Sequence, residues 1–121
     1  MTFSYNLAAT DATEKAIAEI RLHIGDTIYE NGPQPSGNNF TDEELAHFYE
    51  TEETPGRAAA LALETLANQW AGVPRTMFGA LIDPRTNATH YRNSAKAMRE
   101  QHGYSNKGGA IVVQVEVYGA G

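Results

Sequence analysis

Arg57-Ala58-Ala59-Ala60-Leu61-Ala62-Leu63-Glu64-Thr65-Leu66-Ala67-Asn68-Gln69-Trp70 runs from Ala58 to Leu63 without a polar break. A helix that is apolar nearly all round has to be surrounded by other elements. This stretch therefore predicts a central helix over residues 56–71. Its alanines let neighbours approach closely, and Leu63, Leu66 and Trp70 fill volume. Pro55 and Gly56 separate it from what precedes, and Gly72 and Pro74 end it.

On the amino-terminal side, Thr10 and Asp11 are good cap residues. After them Ala16, Ile17, Ile20 and Ile24 fall at helical spacing, with Glu14, Lys15, Glu19 and Arg21 opposite. This predicts an amphipathic helix over about 11–24, closed by Gly25. Asp26 to Phe40 holds Gly32, Pro33, Pro35, Gly37, Asn38 and Asn39, a density of turn formers that makes it a long loop. At Thr41 a capping box begins. The Thr hydroxyl can accept from the amide three residues on while Glu44 reaches back, and Asp42 and Glu43 suit the positive helix end. Leu45, Phe48 and Tyr49 supply the buried side of a short helix over 42–52.

On the carboxy-terminal side, Met77, Phe78, Leu81 and Ile82 fit either a short strand or an irregular packed segment, before an Asp83-Pro84 turn signal. From about 89 to 102 the spacing is helical again. Tyr91, Ala95, Met98 and His102 line one side and Arg92, Lys96 and Arg99 the other, with Gly103 as the stop. Ile111, Val113, Val115 and Val117 alternate with Val112, Gln114, Glu116 and Tyr118, a strand over 111–118. The expected fold is mainly α: a four-helix, bundle-like body over 1–102, with a long loop and an extended β-strand arm over 103–121.

A lone strand leaves backbone donors and acceptors unpaired along both edges. Within the chain, Phe3, Tyr5 and Leu7 alternate over five residues, and Val73 to Ile82 is broken by Pro74 and Gly79. The strand either joins a small sheet with these segments or adds to a neighbouring subunit, and the Asn106-Lys107-Gly108-Gly109 stretch is a hinge suited to the second arrangement.

The chain has 121 residues and 13.2 kDa, 41% of them hydrophobic and 20% charged, which suits one globular domain with a modest core. No apolar run approaches the roughly 20 residues of a membrane span, so no membrane partner is expected. Met1 to Tyr5 has no basic region followed by an apolar core, so no secretory signal is read. The absence of cysteine excludes disulfides, a thiol nucleophile and thiolate zinc sites. The net charge of −6 is uneven: residues 1–74 hold twelve acidic residues against three Lys and Arg, a net of −9, and residues 75–121 hold six cations against three acids, a net of +3. Either this is a dipole across one surface, or the two ends meet different partners, or the basic end of one copy meets the acidic end of another.

No catalytic constellation stands out, and neither an enzyme nor a cofactor is expected. His47 and Glu50 lie one turn apart and with Glu43 could hold a metal, a spacing that acidic helices produce by chance. His23, beside the apolar stripe of its helix, reads as a core or interface side chain, and His90 and His102 as solvated ends. Arg92, Lys96 and Arg99 have the spacing of a recognition helix, but a pI near 5.1 and the lack of helix-turn-helix spacing argue against specific duplex binding.

Three segments in order carry a resemblance: Ile20-Arg21-Leu22-His23-Ile24-Gly25-Asp26-Thr27, then Phe40-Thr41-Asp42-Glu43-Glu44-Leu45, then Arg57 to Ala67. Together they resemble the head-tail connector (adaptor, or head completion) proteins of long-tailed bacteriophages, over roughly residues 11–71 and more loosely through 89–102. The long loop over 30–39 and residues 75–87 depart from the family pattern.

The resemblance implies a structural virion protein in the neck, assembled in the host cytoplasm. It would form a ring, typically of twelve copies, between the portal protein and the stopper or tail-completion protein, and extend a DNA exit channel that binds no particular sequence. The helix at 89–102 and the arm would then dock on the portal or a neighbouring copy, through Arg92, Lys96, Arg99, Tyr104, Ile111, Val113, Val115 and Val117. Glu43, Glu44, Glu50, Glu52 and Glu53 are the acidic residues expected to line the channel, where they would repel phosphates. The alternative is a soluble helical regulatory module that binds an acidic or nucleic-acid partner through the basic helix.

Overall fold

The structure, a computed structural model, describes residues 2–74 and 83–103. Four helices follow in order: α1 (Ala12–Ile24), α2 (Asp42–Glu52), α3 (Pro55–Ala71) and α4 (Pro84–His102). They account for 64% of the described residues, with no strand among them, so the architecture is mainly α. The expected strand at 111–118 and all of 104–121 lie outside the described residues.

Each helix starts on a side-chain cap. An Asp11 carboxylate oxygen accepts from the Glu14 amide at 2.9 Å and opens α1, and Gly25 closes it in the left-handed region at φ 76°, a conformation that needs no Cβ. At α2 the capping box is present in full: Thr41 Oγ1 accepts from the Glu44 amide at 3.1 Å, and Glu44 Oε1 accepts from the Thr41 amide at 2.8 Å. Thr54 caps α3 and Pro55 takes its first position, where a missing N–H leaves nothing unsatisfied.

Helix α4 begins about five residues earlier than its periodicity suggests. Asp83 Oδ1 accepts from the Arg85 amide at 3.0 Å and Pro84 occupies the first turn. The Asp-Pro pair that signals a turn is therefore a cap followed by a proline whose φ is already helical. The added turn places Pro84 and Ala88 on the buried side, in line with Ala95 and Arg99.

Helix α3 is the hub. It packs against α1 and α2 and most extensively against α4. Helices α3 and α4 run antiparallel: the His102 ring lies against Gly56, and Arg99 reaches Glu64. Ala58, Ala59, Ala62 and Ala95 keep these helices close, while Ile17, Ile20, Phe40, Leu45, Leu63 and Leu66 fill the core. Burying one such large side chain is worth about 1.5–3 kcal/mol.

The long loop is folded onto this core. Gly32 and Gly37 are joined by a backbone hydrogen bond of 2.9 Å, and Trp70 Nε1 donates to the Pro33 carbonyl at 2.9 Å. Phe40 ends the loop inside the core at 1% exposure.

Candidate functional site

Among the described residues two arginines are buried, and each is held by two carboxylates. Arg21 is fully buried. Its Nη1 meets Asp26 at 2.6 Å and its Nη2 meets Asp42 at 2.8 Å, while Nε donates to the Ser4 carbonyl at 2.7 Å. The guanidinium also stacks 4.1 Å from the centroid of the Phe3 ring. Asp26 in turn accepts from the Phe40 amide at 3.0 Å and from Asn39 Nδ2 at 2.6 Å, and Asp42 Oδ1 accepts from the Ser4 amide at 2.9 Å. This node ties the amino-terminal segment, the end of α1, the long loop and the start of α2 together.

The second node joins α2, α3 and α4. Arg99 Nη1 and Nη2 donate to the two Glu52 oxygens at 2.8 and 3.0 Å, and Nε and Nη2 donate to the two Glu64 oxygens, both at 3.1 Å. Burial alone would lower the Arg99 pKa, but the hydrogen bonds to Glu52 and Glu64 outweigh it and raise the group above the ordinary guanidinium value.

These nodes correct three expectations. Arg21 is not on the exposed side of α1 opposite the apolar stripe but fully buried, because Asp26 and Asp42 replace its hydration. Arg99 does not share the exposed side of α4 with Arg92 and Lys96. It lies on the buried stripe, because two carboxylates there replace its hydration. Glu52 for the same reason points into the body, its side chain 7% exposed, and is not available to line a channel.

The remaining candidates are exposed. Arg92 and Lys96 stand one turn apart beside a cleft of about 440 Å³ between α3 and α4, whose floor includes Ala67, Asn68 and Ala95. Glu43, Glu44, Glu50 and Glu53 are exposed along or just past α2. Glu44 is committed to the capping box, and Glu53 is the left-handed cap of the helix at φ 74°. A hydrogen bond from its own backbone amide, and then one from the Thr2 side chain, hold the Glu43 carboxyl below its ordinary value. Tyr104, Ile111, Val113, Val115 and Val117 lie outside the described residues.

His23 is exposed rather than part of the core, and its ring meets that of His102 edge-on at 6.1 Å. Its position follows from the cap at Gly25: Ile20 and Ile24 take the inward face of the last turn and leave Leu22 and His23 outside. His47 is exposed between Glu43 and Glu50, and among the described residues no three His, Asp or Glu side chains converge in a group that could hold a metal. Nor is any helix among them long and apolar enough to cross a membrane.

Asp26, Asp42 and Glu64 are the node residues that sequence reasoning missed. One signal was present: Arg21 borders the apolar stripe on the side of Ile17, and a cation buried there needs partners. No protein family, curated protein or solved structure matches this chain.

Proposed function

We propose that this chain is a non-enzymatic structural protein of a bacteriophage neck, a connector whose copies form a ring between portal and stopper and extend the DNA channel. The proposal starts from the resemblance of three ordered segments. One observation supports it: two of those segments, Ile20–Thr27 and Phe40–Leu45, meet in a single buried node. Arg21 and Asp26 from the first bind Asp42 and the Phe40 amide from the second. The residues that carry the resemblance are thus those that set the geometry of the body.

The exposed faces suit a wedge in an assembly. Acidic side chains at Glu43, Glu44, Glu50 and Glu53 gather at α2, and cations at Arg92 and Lys96 stand on α4. About twelve copies at −6 each would carry roughly −70 charges, and an acidic lumen would let DNA slide rather than adhere. Among the described residues, Arg92 and Lys96 are the docking residues that remain, toward the portal or a neighbouring copy.

Electron microscopy and native mass spectrometry of the full chain, alone at high concentration and with portal protein, test this function. A closed ring with an open channel is expected. A chain that stays monomeric and never associates with portal protein refutes it.

A further inference from the structure

Helix α4 carries a straight exposed stripe at Arg85, Thr89, Arg92 and Lys96. Helix α2 carries one at Glu43, His47 and Glu50, also exposed. The two share a spacing. Arg85, Thr89 and Arg92 stand at positions i, i+4 and i+7, and so do Glu43, His47 and Glu50. Each triplet has charges at its ends and a side chain without a formal charge in the middle. At the rise of an α-helix the end charges are about 10.5 Å apart along the axis in both cases. Lys96 continues the basic stripe by one more turn, at the edge of the cleft between α3 and α4.

We infer that these two stripes are the two halves of one contact: the α4 stripe of one copy docks on the α2 stripe of the next. This takes Glu43 and Glu50 out of the channel lining and leaves Glu44 and Glu53 as the acids of α2 that can face it. The inference rests on the ring proposed above and names the surfaces that build it. Charge complementarity commits the occupant. Within one chain α4 packs chiefly on α3, while α2 packs on α1 and α3, and both stripes face outward. The basic stripe of a copy therefore meets a matching acidic one on another copy. At a net charge of −6, copies repel one another in most orientations. Arg85 and Arg92 against Glu43 and Glu50, with Lys96 extending the basic side, reverse the sign locally and so favour this docking over others. The two surfaces differ, so the contact is heterologous, and repeating it gives a ring when the rotation closes. Glu43 keeps its hydrogen bond from the Thr2 amide at 3.3 Å, which orients that end charge at the start of its helix.

Charge reversal in halves tests this. Arg92→Glu/Lys96→Glu makes both stripes acidic, and Glu43→Lys/Glu50→Lys makes both basic. By sedimentation, each variant alone is expected to need at least about tenfold more protein to associate than the wild type. An equimolar mixture is expected to associate again as alternating copies, because each acidic α4 then meets a basic α2 and each unchanged α4 an unchanged α2. Where a reversal lowers the helical circular dichroism signal, Arg92→Gln/Lys96→Gln and Glu43→Gln/Glu50→Gln replace it, and each is expected to weaken association.

The chain has no cysteine, so Arg92→Cys/Glu50→Cys and Arg92→Cys/Glu43→Cys report the contact directly, the first for parallel and the second for antiparallel docking of the two helices. Oxidation of one of the two is expected to give a ladder of linked copies that no single substitution gives. Wild-type association that is unchanged by both reversals overturns the stripe contact and leaves the ring standing. Reversals that weaken association without rescue on mixing, or no ladder from either oxidised double-cysteine chain, also overturn the contact alone. A wild-type chain that never self-associates removes both.

Discussion

Replacing Arg99 by methionine keeps most of the stem that packs between α3 and α4 and removes the guanidinium. Four hydrogen bonds of 2.8–3.1 Å go with it. The loss is uneven. The Glu64 side chain is 40% exposed, so water takes over from the guanidinium and its share is about 0–1 kcal/mol. The Glu52 side chain is 7% exposed and is left as a stranded buried charge, which costs about 3–5 kcal/mol. Arg99→Met is thus expected to lose about 3–5 kcal/mol, a third or more of the stability of a typical small domain. Arg99→Met/Glu52→Met strands no buried charge and is expected to recover most of that. Urea unfolding of the three proteins, followed by far-ultraviolet circular dichroism, measures both steps. A single variant that loses less than about 1 kcal/mol, or a double variant no more stable than the single, refutes a buried node. The raised Arg99 pKa fixes the pH sign: its stabilisation is fully present below the unfolded-state value and is lost only as the pH rises through the higher folded one, so no loss on this account occurs near neutrality.

Three further outcomes are expected. A Cβ at Gly32 would overlap the Asn38 carbonyl, which is backbone and cannot swing aside, so Gly32→Ala should cost about 1–3 kcal/mol. Because Trp70, the only tryptophan, donates to the neighbouring Pro33 carbonyl, its emission should shift to the red, and unchanged emission and stability would count against the folded loop. Thr41→Ala should lose about 1 kcal/mol in thermal unfolding, with Thr41→Ser retaining most of it, since only the cap acceptor is at stake. The Glu43 carboxyl should titrate below its ordinary 4.5 by NMR. Its contribution is present above that pH and lost as the pH falls through the folded value, so Glu43→Gln should abolish this acid-side dependence, and a value at or above 4.5 would contradict the bonds to its own amide and to Thr2.

The legible parts of the fold are those written in local chemistry. Thr41 and Glu44 are three residues apart and define the start of α2 by themselves, and Gly25 ends α1 because a left-handed residue follows its last turn. The start of α4 was obscured because Asp-Pro serves turns and helix starts alike, and only the continuation over Arg85–Ala88 distinguishes them. Arg92 and Lys96 were legible as exposed cations from periodicity. Arg99 was not, since its partner Glu52 is 47 residues away, and a polar residue on a buried stripe is accepted only where the fold delivers its counter-charge. Asp26, Asp42 and Glu64 escaped for the same reason: nothing local marks an acid as the partner of a distant arginine.

The nodes also change what the charge asymmetry means. Asp26, Asp42, Glu52 and Glu64 are consumed by Arg21 and Arg99, so residues 1–74 keep eight acids against Lys15 and Arg57 outside the nodes, a net of −6 rather than −9. The basic half loses Arg99 and keeps five cations against three acids, a net of +2. Each node holds one cation for two carboxylates and so carries −1 itself. Within a Debye length of about 8 Å, however, a partner senses the exposed charges nearest to it rather than the sum. Among the described residues of the basic half, the exposed cations are Arg85, Arg92 and Lys96, all on one stripe of α4. A partner that approaches this overall anionic body therefore meets a positive field along that stripe, and its orientation there is set by where its own carboxylates stand. Charge that is diffuse along the sequence becomes directional once the arginines that face inward are subtracted.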